Sequence, residues 1–219
     1  MPIQSKTLFP VAIVGSFAAW TAIKAARPFT IERYLKVTGR PMLSQGDSSS
    51  WDIQKARYSE SNNQDLIRLG EGEISPKNIG KDPSNLKFWC EANSKRKFLG
   101  KDDWLFKLVA TWCTSPISFT DQLENLGSEI LDFEYDYYSN KDQQYWDSVI
   151  EDYWKKSKEE DWIQRVDVYM GKPFENGVLK KSEATVLYLK KWCEFNKEQP
   201  YKHELDPKFI RYKKWCTKA

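Results

Sequence analysis

The four cysteines of this 219-residue chain are its clearest candidates for chemistry. Thiol groups can form disulfides, bind zinc as thiolates or act as nucleophiles. Every cysteine directly follows a tryptophan, and the cysteines fall into two pairs whose members are 23 positions apart: Trp89-Cys90 with Trp112-Cys113, and Trp192-Cys193 with Trp215-Cys216. The repeated arrangement indicates a structural role for all eight residues.

The spacing predicts one disulfide inside each pair, joining Cys90 to Cys113 and Cys193 to Cys216. Four cysteines allow three connectivities, and only this one is satisfied identically by both pairs. Each bridge would hold two Cα atoms ~4.4–6.8 Å apart. Two alternatives stay open: four buried free thiols in a reduced protein, or one zinc site shared by all the cysteines. No two cysteines stand two to four residues apart, as they do in most zinc sites.

Residues for other chemistry are few. His203 is the only histidine, so a Ser-His or Cys-His arrangement would depend on it, and its polar surroundings predict a surface position. The sequence contains no glycine-rich phosphate loop. Acidic residues are concentrated between Asp121 and Asp161, which we interpret as a solvated helical surface. We therefore predict a protein without catalytic residues, metal ligands or cofactors.

The segments that carry the cysteines occur twice, which indicates internal repetition. Residues 86–93 (LKFWCEAN) match residues 189–196 (LKKWCEFN). Two upstream aromatic residues of the first copy recur in the same order in the second, Trp51 and Tyr58 as Trp146 and Tyr153. All six tryptophans named so far are predicted to be structural, buried aromatic residues.

The predicted copies cover residues 29–114 and 119–217 and are joined by a short linker. The chain length suits two units of ~90–100 residues each. Aromatic residues make up 15% of the sequence and supply enough large side chains for a core in each unit. The sequence therefore predicts a tandem duplication of one small helical unit.

Helical periodicity places the first cysteine of each pair on one face of a helix. Leu86, Trp89, Cys90 and Asn93 fall at i, i+3, i+4 and i+7, and the matching residues of the second copy do the same. A second helix would carry the other cysteine, after a polar loop that folds back. Candidate N-caps precede the first helix of each pair: Asp82 or Ser84 in one copy and Ser182 in the other.

The upstream segments are also predicted to be mainly helical. Three serines at 48–50 predict the start of a helix that carries Trp51 and Tyr58 on one face. The corresponding helix of the second copy would be longer and cover much of residues 142–165. Alternation in residues 166–170 predicts one short strand. The predicted fold class is therefore mainly α.

A separate apolar segment precedes the two copies. Leu8 to Ile23 contains no charged residue, and a helix extended to Ala26 would span ~28 Å, close to the ~30 Å hydrocarbon core of a bilayer. No small-residue cleavage site follows it. We predict an uncleaved transmembrane signal-anchor at residues 8–26, after a short tail at residues 1–7, with the lipid bilayer as a partner.

Two signals disagree about the orientation of this anchor. Basic residues follow the apolar segment, and the positive-inside rule would then place the copies in the cytoplasm: Lys24, Arg27, Arg33, Lys36 and Arg40. An even number of regularly paired cysteines is instead typical of proteins in oxidising surroundings. We predict a single-pass protein of the cell membrane whose copies are extracellular.

These landmarks resemble a lineage-specific family of paralogous, membrane-anchored Trp-Cys proteins of haemotrophic mycoplasmas. The motifs that carry the likeness are spread over the whole chain: the apolar N-terminus, Thr30-Ile31-Glu32-Arg33-Tyr34-Leu35, Leu43-Ser44, Trp51 to Tyr58, Lys87 to Cys90, Lys190 to Cys193, and the closing Lys213 to Lys218. The Trp-Cys ending is the most specific of them. The resemblance implies that the protein lies at the surface of a wall-less blood parasite, and it identifies no catalytic residues.

Together these features predict a membrane-anchored surface protein, active in host interaction or antigenic variation, whose partner is an unknown host or self protein. A net charge of +3 is too small to indicate nucleic-acid binding. The alternative is a cytosolic-facing membrane scaffold with reduced cysteines. An enzyme with an acidic site between Asp121 and Asp161 is the least favoured interpretation.

Overall fold

The computed structural model describes residues 29–69, 72–79, 83–134, 141–170 and 172–218. The predicted N-terminal tail and signal-anchor, residues 1–7 and 8–26, lie outside the described residues. Within the described ranges, no helix combines the length and the apolar character needed to cross a bilayer.

The N-terminal half, from Phe29 to Thr114, contains five helices and one short hairpin among its described residues. Its elements in chain order are α1 (Ile31–Val37), α2 (Ser48–Tyr58), β1 (Arg68–Leu69), β2 (Gly72–Glu73), α3 (Pro76–Ile79), α4 (Ser84–Ser94) and α5 (Trp104–Trp112). The strands β1 and β2 form an antiparallel hairpin.

The C-terminal half, from Phe119 to Thr217, has a similar order of elements. They are α6 (Phe119–Asn125), α7 (Gln143–Lys156), a 3-10 turn (Glu159–Asp161), β3 (Gln164–Val166), β4 (Pro173–Val178), a second 3-10 turn (Lys181–Glu183), α8 (Val186–Asn196) and α9 (Pro207–Cys216). The strands β3 and β4 pair antiparallel. The predicted mainly helical fold is confirmed.

Helix α2 begins where the sequence predicted it, but an aspartate caps it. The Asp47 carboxylate accepts a hydrogen bond from Ser50 N at 3.1 Å and so satisfies one of the amides that have no partner in the first turn. Trp51, Gln54 and Tyr58 form the buried face. Their spacing along one side of the helix follows from its 3.6-residue period.

The predicted caps of α4 are wrong where the structure describes them. Pro83 occupies the N-cap position and makes no side-chain cap bond, while Ser84 is already the first helical residue. Proline fixes the backbone at the start of a helix without needing a hydrogen-bond partner for its nitrogen. Asp82 lies outside the described residues.

The predicted cap of α8 is also wrong. Ser182 lies in the second 3-10 turn, too far along the chain to reach the first amides of the helix. Thr185 caps α8 instead, and its hydroxyl accepts a hydrogen bond from Tyr188 N at 3.4 Å. A threonine immediately before a helix is a favoured N-cap.

Helix α7 is shorter than predicted. Most of the segment predicted as a strand is instead the turn between β3 and β4. The helix ends at Lys156 because Ser157 turns to an extended backbone conformation, with its hydroxyl bonded to Tyr153 O. Of residues 166–170, only Val166 belongs to a strand. Asp167 begins the turn, and its carboxylate accepts hydrogen bonds from the backbone amides of Tyr169 and Met170, at 2.8 and 2.9 Å.

Each half has its own cluster of buried apolar side chains. The cluster of the N-terminal half includes Trp51, Tyr58 and Trp112. The cluster of the C-terminal half includes their counterparts in the sequence, Trp146, Tyr153 and Trp215. The hydrophobic stabilisation of the two halves is therefore largely separate, since it scales with the apolar area that each cluster removes from water.

One buried tyrosine in each half ties the long helix to the hairpin; we call Tyr58 and Tyr153 the core tyrosines. The Tyr58 hydroxyl donates to Ile74 O at 2.7 Å and accepts from Ile67 N at 2.9 Å. These two backbone groups flank the β1–β2 hairpin. Burial raises the pKa of Tyr58, so the phenol is neutral and can donate at physiological pH.

Tyr153 makes the same two kinds of bond in the C-terminal half. Its hydroxyl donates to Leu179 O at 2.6 Å and accepts from Ile163 N at 3.3 Å, on either side of the β3–β4 hairpin. Burial raises the pKa of Tyr153 to about 12. One phenol thus satisfies two backbone groups that would otherwise be buried without partners.

The end of each half also bonds to its beginning. Long-range backbone hydrogen bonds make this closure in each half. In the N-terminal half they include Ile31 N to Arg96 O at 3.0 Å and Leu43 N to Cys113 O at 2.8 Å, and in the C-terminal half Phe119 N to Gln199 O and Leu131 N to Cys216 O, both at 2.9 Å. The cysteine-bearing helices are therefore held against the first helix of the same half.

Replacing either core tyrosine by phenylalanine should lower the free energy of unfolding by ~1–3 kcal/mol, because one buried carbonyl and one buried amide lose their partner. Urea unfolding followed by circular dichroism measures this loss. Tyr169→Phe is the matched control, since Tyr169 is 96% exposed. A loss at Tyr58 or Tyr153 no larger than in the control would contradict the role assigned to the hydroxyls.

Candidate functional site

Both predicted disulfides are present, and they organise the candidate site. Cys90 and Cys113 are joined by an S–S bond of 2.01 Å, with Cα atoms 5.5 Å apart. Cys193 and Cys216 are joined by a bond of 1.94 Å, with Cα atoms 5.7 Å apart. Both Cα separations lie in the range expected of disulfides. All four cysteines are buried, and none is free.

The loop between the helices of each pair folds back, as the spacing predicted. Cys90 lies inside α4 and belongs to its buried face. Cys113 is the C-cap of α5, and Cys216 is the last residue of α9. Asp103 and Asp206 cap the second helix of each pair with their carboxylates. Each bridge thus joins the centre of one helix to the end of the next.

The tryptophan beside the second cysteine of each pair is anchored by its indole nitrogen. Trp112 Nε1 donates to Asp65 O at 2.7 Å, and Trp215 Nε1 donates to Asp161 O at 2.9 Å. Their rings pack edge-on against the core tyrosines, at centroid distances of 5.0 and 5.1 Å. Edge-on contact suits the charge distribution of aromatic rings.

The other four predicted structural tryptophans are buried as well. Trp51 Nε1 donates to Ser44 O and Trp146 Nε1 to Asp132 O, both at 2.9 Å. Trp89 and Trp192, which precede the first cysteine of each pair, lie within the two core clusters. The six tryptophans therefore lie in the same two core clusters as the disulfides, and their role is to pack the core.

Arg40 organises the junction between the two halves. Its guanidinium donates to Lys202 O at 2.8 Å in the C-terminal half, and to Ala110 O at 3.0 Å and the Thr114 hydroxyl in the N-terminal half. It also lies 4.5 Å from the centroid of the Tyr201 ring. Burial lowers the pKa of Arg40 to about 10, so the group is still a cation at neutral pH. The three oxygens accept from its terminal nitrogens and compensate for part of its lost hydration, while its buried Nε has no partner among the described residues.

The loop before α9 adds polar contacts across the same junction. Glu204 accepts a hydrogen bond from the Tyr34 hydroxyl at 3.1 Å and forms an ion pair with Lys101. Lys202 forms an ion pair with Asp65. These pairs are only partly buried, so each contributes ~0–1 kcal/mol. The junction therefore depends more on buried Arg40 than on its ion pairs.

Two concavities lie along the junction. The smaller is a polar cleft of about 480 Å³, lined among others by Arg57, Asn63, Gln199 and Lys208. The larger is an open groove of about 1170 Å³ that combines exposed apolar side chains with lysines: Val37, Leu126, Leu205, Ile210, Lys213 and Lys214. Neither is the enclosed, mainly apolar pocket that is typical of small-molecule sites.

His203 is not the surface residue that the sequence predicted. It is half-buried at the junction, and its Nδ1 is buried without a hydrogen-bond partner in the described part of the chain. Burial lowers the pKa of the imidazole, and the Lys107 and Lys202 cations act in the same direction, while Asp206 and Asp65 oppose them. His203 is therefore neutral at physiological pH.

The acidic segment supplies carboxylates that bind neighbouring groups. Asp142 accepts a hydrogen bond from Asp132 N at 3.1 Å and pairs with Lys218 at 3.1 Å, and Asp161 pairs with Lys214 at 2.8 Å. Desolvation opposes their ionisation, but these contacts outweigh it and lower the pKa of both carboxyls. A general acid needs the opposite shift. The described residues contain no cluster suited to a metal ion.

The residues of the junction could not be identified from the sequence. Arg40 was assigned only to the basic flank of the predicted anchor, and its partner Lys202 is 162 positions away. No local spacing signals such a contact. The repeated pattern offers one hint, because Lys202 and Glu204 stand where the N-terminal half has Leu99 and Lys101. A loop in which the two copies differ in polarity is a candidate for asymmetric contacts.

Cys113→Ser and Cys216→Ser should each lower the free energy of unfolding by ~2–5 kcal/mol. The two losses should add to within ~0.5 kcal/mol in the double variant, because the cores are separate. Urea unfolding followed by tryptophan fluorescence measures both, with Ser182→Ala in an exposed turn as control. Strong non-additivity would show that the halves share one cooperative core.

Acidification from about pH 7.5 to about pH 5.5 should destabilise the protein through His203. Its pKa is lowered in the folded state, so the unfolded state binds more protons as the pH falls below ~6.5. The stabilisation is present above that pH and is lost as the pH falls through the folded-state pKa.

The chain has no other histidine, so His203→Gln should remove most of this pH dependence. Urea unfolding at the two pH values tests the wild type and the variant together. Equal pH dependence in both proteins would exclude His203 as its source.

The chain shows no match to protein-family models, to curated proteins or to solved structures. The candidate site is therefore described by its own geometry. It consists of two buried disulfides within aromatic cores and a polar junction built on Arg40.

Proposed function

We propose that this chain is a membrane-anchored surface protein whose described region lies outside the cell. It binds a protein of a host, or another protein of its own cell, and catalyses no reaction. The pair of buried disulfides carries the proposal. Disulfides form and persist in oxidising surroundings and are rare in the reducing cytoplasm. The uncharged segment from Leu8 to Ile23 supports attachment to the bilayer.

A binding role, rather than catalysis, is supported by the structural contacts that several polar groups with a shifted pKa make. Burial raises the pKa of Tyr201, beside Arg40, and raises that of Tyr212, bonded to Thr120, to about 12. Asp161 is engaged by Lys214. Perturbed groups are candidates for catalysis when they line a cleft and are free to react. Tyr201, Tyr212 and Asp161 are each engaged in a structural contact instead.

We also propose that the two halves arose by tandem duplication, with copies at residues 29–114 and 119–217. The similar order of elements, the two core tyrosines and the equal cysteine spacing support this. Membership of the haemotrophic mycoplasma family remains a proposal that rests on the sequence motifs. It would place the protein in host interaction or antigenic variation.

A cytosolic-facing membrane scaffold is the second candidate. It is favoured by the basic residues that follow the apolar segment, since positive charge is enriched on the cytoplasmic side of membrane spans. Lys24 and Arg27 are the nearest of these. In that orientation the region that carries the four cysteines would lie in the reducing cytoplasm.

Protease treatment of intact cells distinguishes the two candidates. We expect trypsin to remove the described region without lysis, while a cytoplasmic marker protein survives. Peptide mapping under non-reducing conditions should then recover Cys90 linked to Cys113 and Cys193 linked to Cys216.

Survival of the region on intact cells, with loss only after lysis, would refute the outward orientation. Four cysteines that react with an alkylating reagent under denaturing, non-reducing conditions would support the scaffold. The two measurements are independent, because one reports location and the other reports the redox state of the thiols.

A further inference from the structure

The described part of the chain begins beside the loop that joins α4 to α5. Thr30 forms an isolated antiparallel bridge with Lys97, and Phe98 N donates to Phe29 O at 2.8 Å. The rings of Phe29 and Phe98 pack edge-on, with centroids 6.2 Å apart. The loop is therefore fixed next to the point where the predicted anchor would join the folded region.

This loop and its surroundings expose large apolar side chains. Leu99 is 71% exposed, Trp104 is 60% exposed and Phe29 is 39% exposed. Leu99 and Trp104 line the same shallow depression, together with Arg96 and Lys97. Exposed tryptophan and leucine next to basic residues are typical of surfaces that lie in the interface of a membrane.

Three cations surround these apolar side chains. Arg33 lies 5.5 Å from the centroid of the Phe29 ring, and Arg96 and Lys97 are exposed. These three form no ion pair with a described acidic side chain, whereas the nearby Lys95 is paired with Glu91. We call Phe29, Leu99, Trp104, Arg33, Arg96 and Lys97 the anchor-proximal face.

Three acidic side chains lie near this face, but none of them forms an ion pair with Arg33, Arg96 or Lys97. Asp103 lines the same depression, but its carboxylate is turned to the Phe106 amide as the cap of α5. Glu32 and Asp102 are exposed nearby in the sequence. The cations of the face are therefore available to anionic groups outside the protein.

The length of chain before Phe29 limits how far this face can lie from a bilayer. The predicted anchor ends at Ala26, and three extended residues span at most ~10 Å. The headgroup layer on one side of a bilayer is ~5–8 Å thick. If the anchor spans the membrane, the face must lie at or just above the headgroups.

We propose that the anchor-proximal face is a membrane-contact surface for anionic glycerophospholipids. Trp104 and Leu99 insert among the headgroups, and Arg33, Arg96 and Lys97 bind lipid phosphates. This inference rests on the anchored protein proposed above. It adds that the folded region lies against the bilayer in one defined orientation, rather than moving freely on its tether.

The corresponding positions of the C-terminal half have different residues. Lys202 stands at the position of Leu99, and Pro207 at that of Trp104. There the loop packs on the N-terminal half through Lys202 and Arg40. The exposed apolar residues of the anchor-proximal face are therefore not required by the helical pair itself.

Photolabelling of the full chain in vesicles tests the proposal. The vesicles contain phosphatidylcholine with or without about 30% phosphatidylglycerol, and a lipid with a photoreactive diazirine high on its acyl chain. We expect labelling of peptides within residues 98–107 that increases with phosphatidylglycerol. Resistance to extraction by alkaline carbonate reports separately on the anchor.

Two double variants test whether the labelling depends on the residues of the anchor-proximal face. The variant Arg96→Gln with Lys97→Gln should lower the ratio of membrane-contacting to non-contacting folded region by roughly fivefold for each cation removed. The residues that are labelled, 98–107, are themselves unchanged in this variant. Leu99→Ser with Trp104→Ser should lower it further. Tyr169→Ser with Met170→Ser is the matched control, because those residues are 96% and 69% exposed in the β3–β4 turn.

The outcomes are distinguishable. Labelling at residues 98–107 that depends on phosphatidylglycerol and on Arg96 and Lys97 supports the proposal. If the chain resists carbonate but labelling falls on the β3–β4 turn, or nowhere on the folded region, the contact surface is refuted and the anchor stands. Release of the chain by carbonate refutes the anchor and the contact surface together.

Discussion

A covalent bond between two short helices is the constraint on which each half of this protein depends. The helices α4 and α5 have 11 and 9 residues, shorter than the ~12–15 residues that an isolated helix needs in water. A disulfide that closes a loop of 23 residues stabilises by roughly 3 kcal/mol in the chain-entropy model. The aromatic core then has a fixed pair of helices on which to pack. The same reasoning applies to α8 and α9.

Besides the disulfides, buried polar side chains hold the elements together through hydrogen bonds made in apolar surroundings. Each core tyrosine satisfies two backbone groups beside a hairpin, and Arg40 satisfies oxygens from both halves. Such groups have strict geometry, because a buried donor or acceptor without a partner costs ~1–3 kcal/mol. They therefore determine how the elements meet, while the less directional apolar contacts supply most of the driving force.

The features that could be predicted from the sequence are those with a local or repeated signal. The cysteine pairing followed from equal spacing, and the helix faces around Trp89 and Trp51 followed from helical periodicity. The N-cap Thr185 was missed because Ser182 is an equally good cap in isolation. The burial of His203 and the contacts of Arg40 could not be predicted, since their partners come from distant segments brought together by the fold.

The positions of the disulfides also determine how the protein responds to mechanical force. A pull on the chain beyond Cys216 reaches the disulfide first, and the bridge passes the tension directly to Cys193 in α8. The residues between these cysteines carry no load, so α9 cannot be unravelled from its end. The Cys90–Cys113 bridge shields α5 in the same way. Stretching can therefore extend only the chain outside the two loops, which shortens the reach of the molecule under shear.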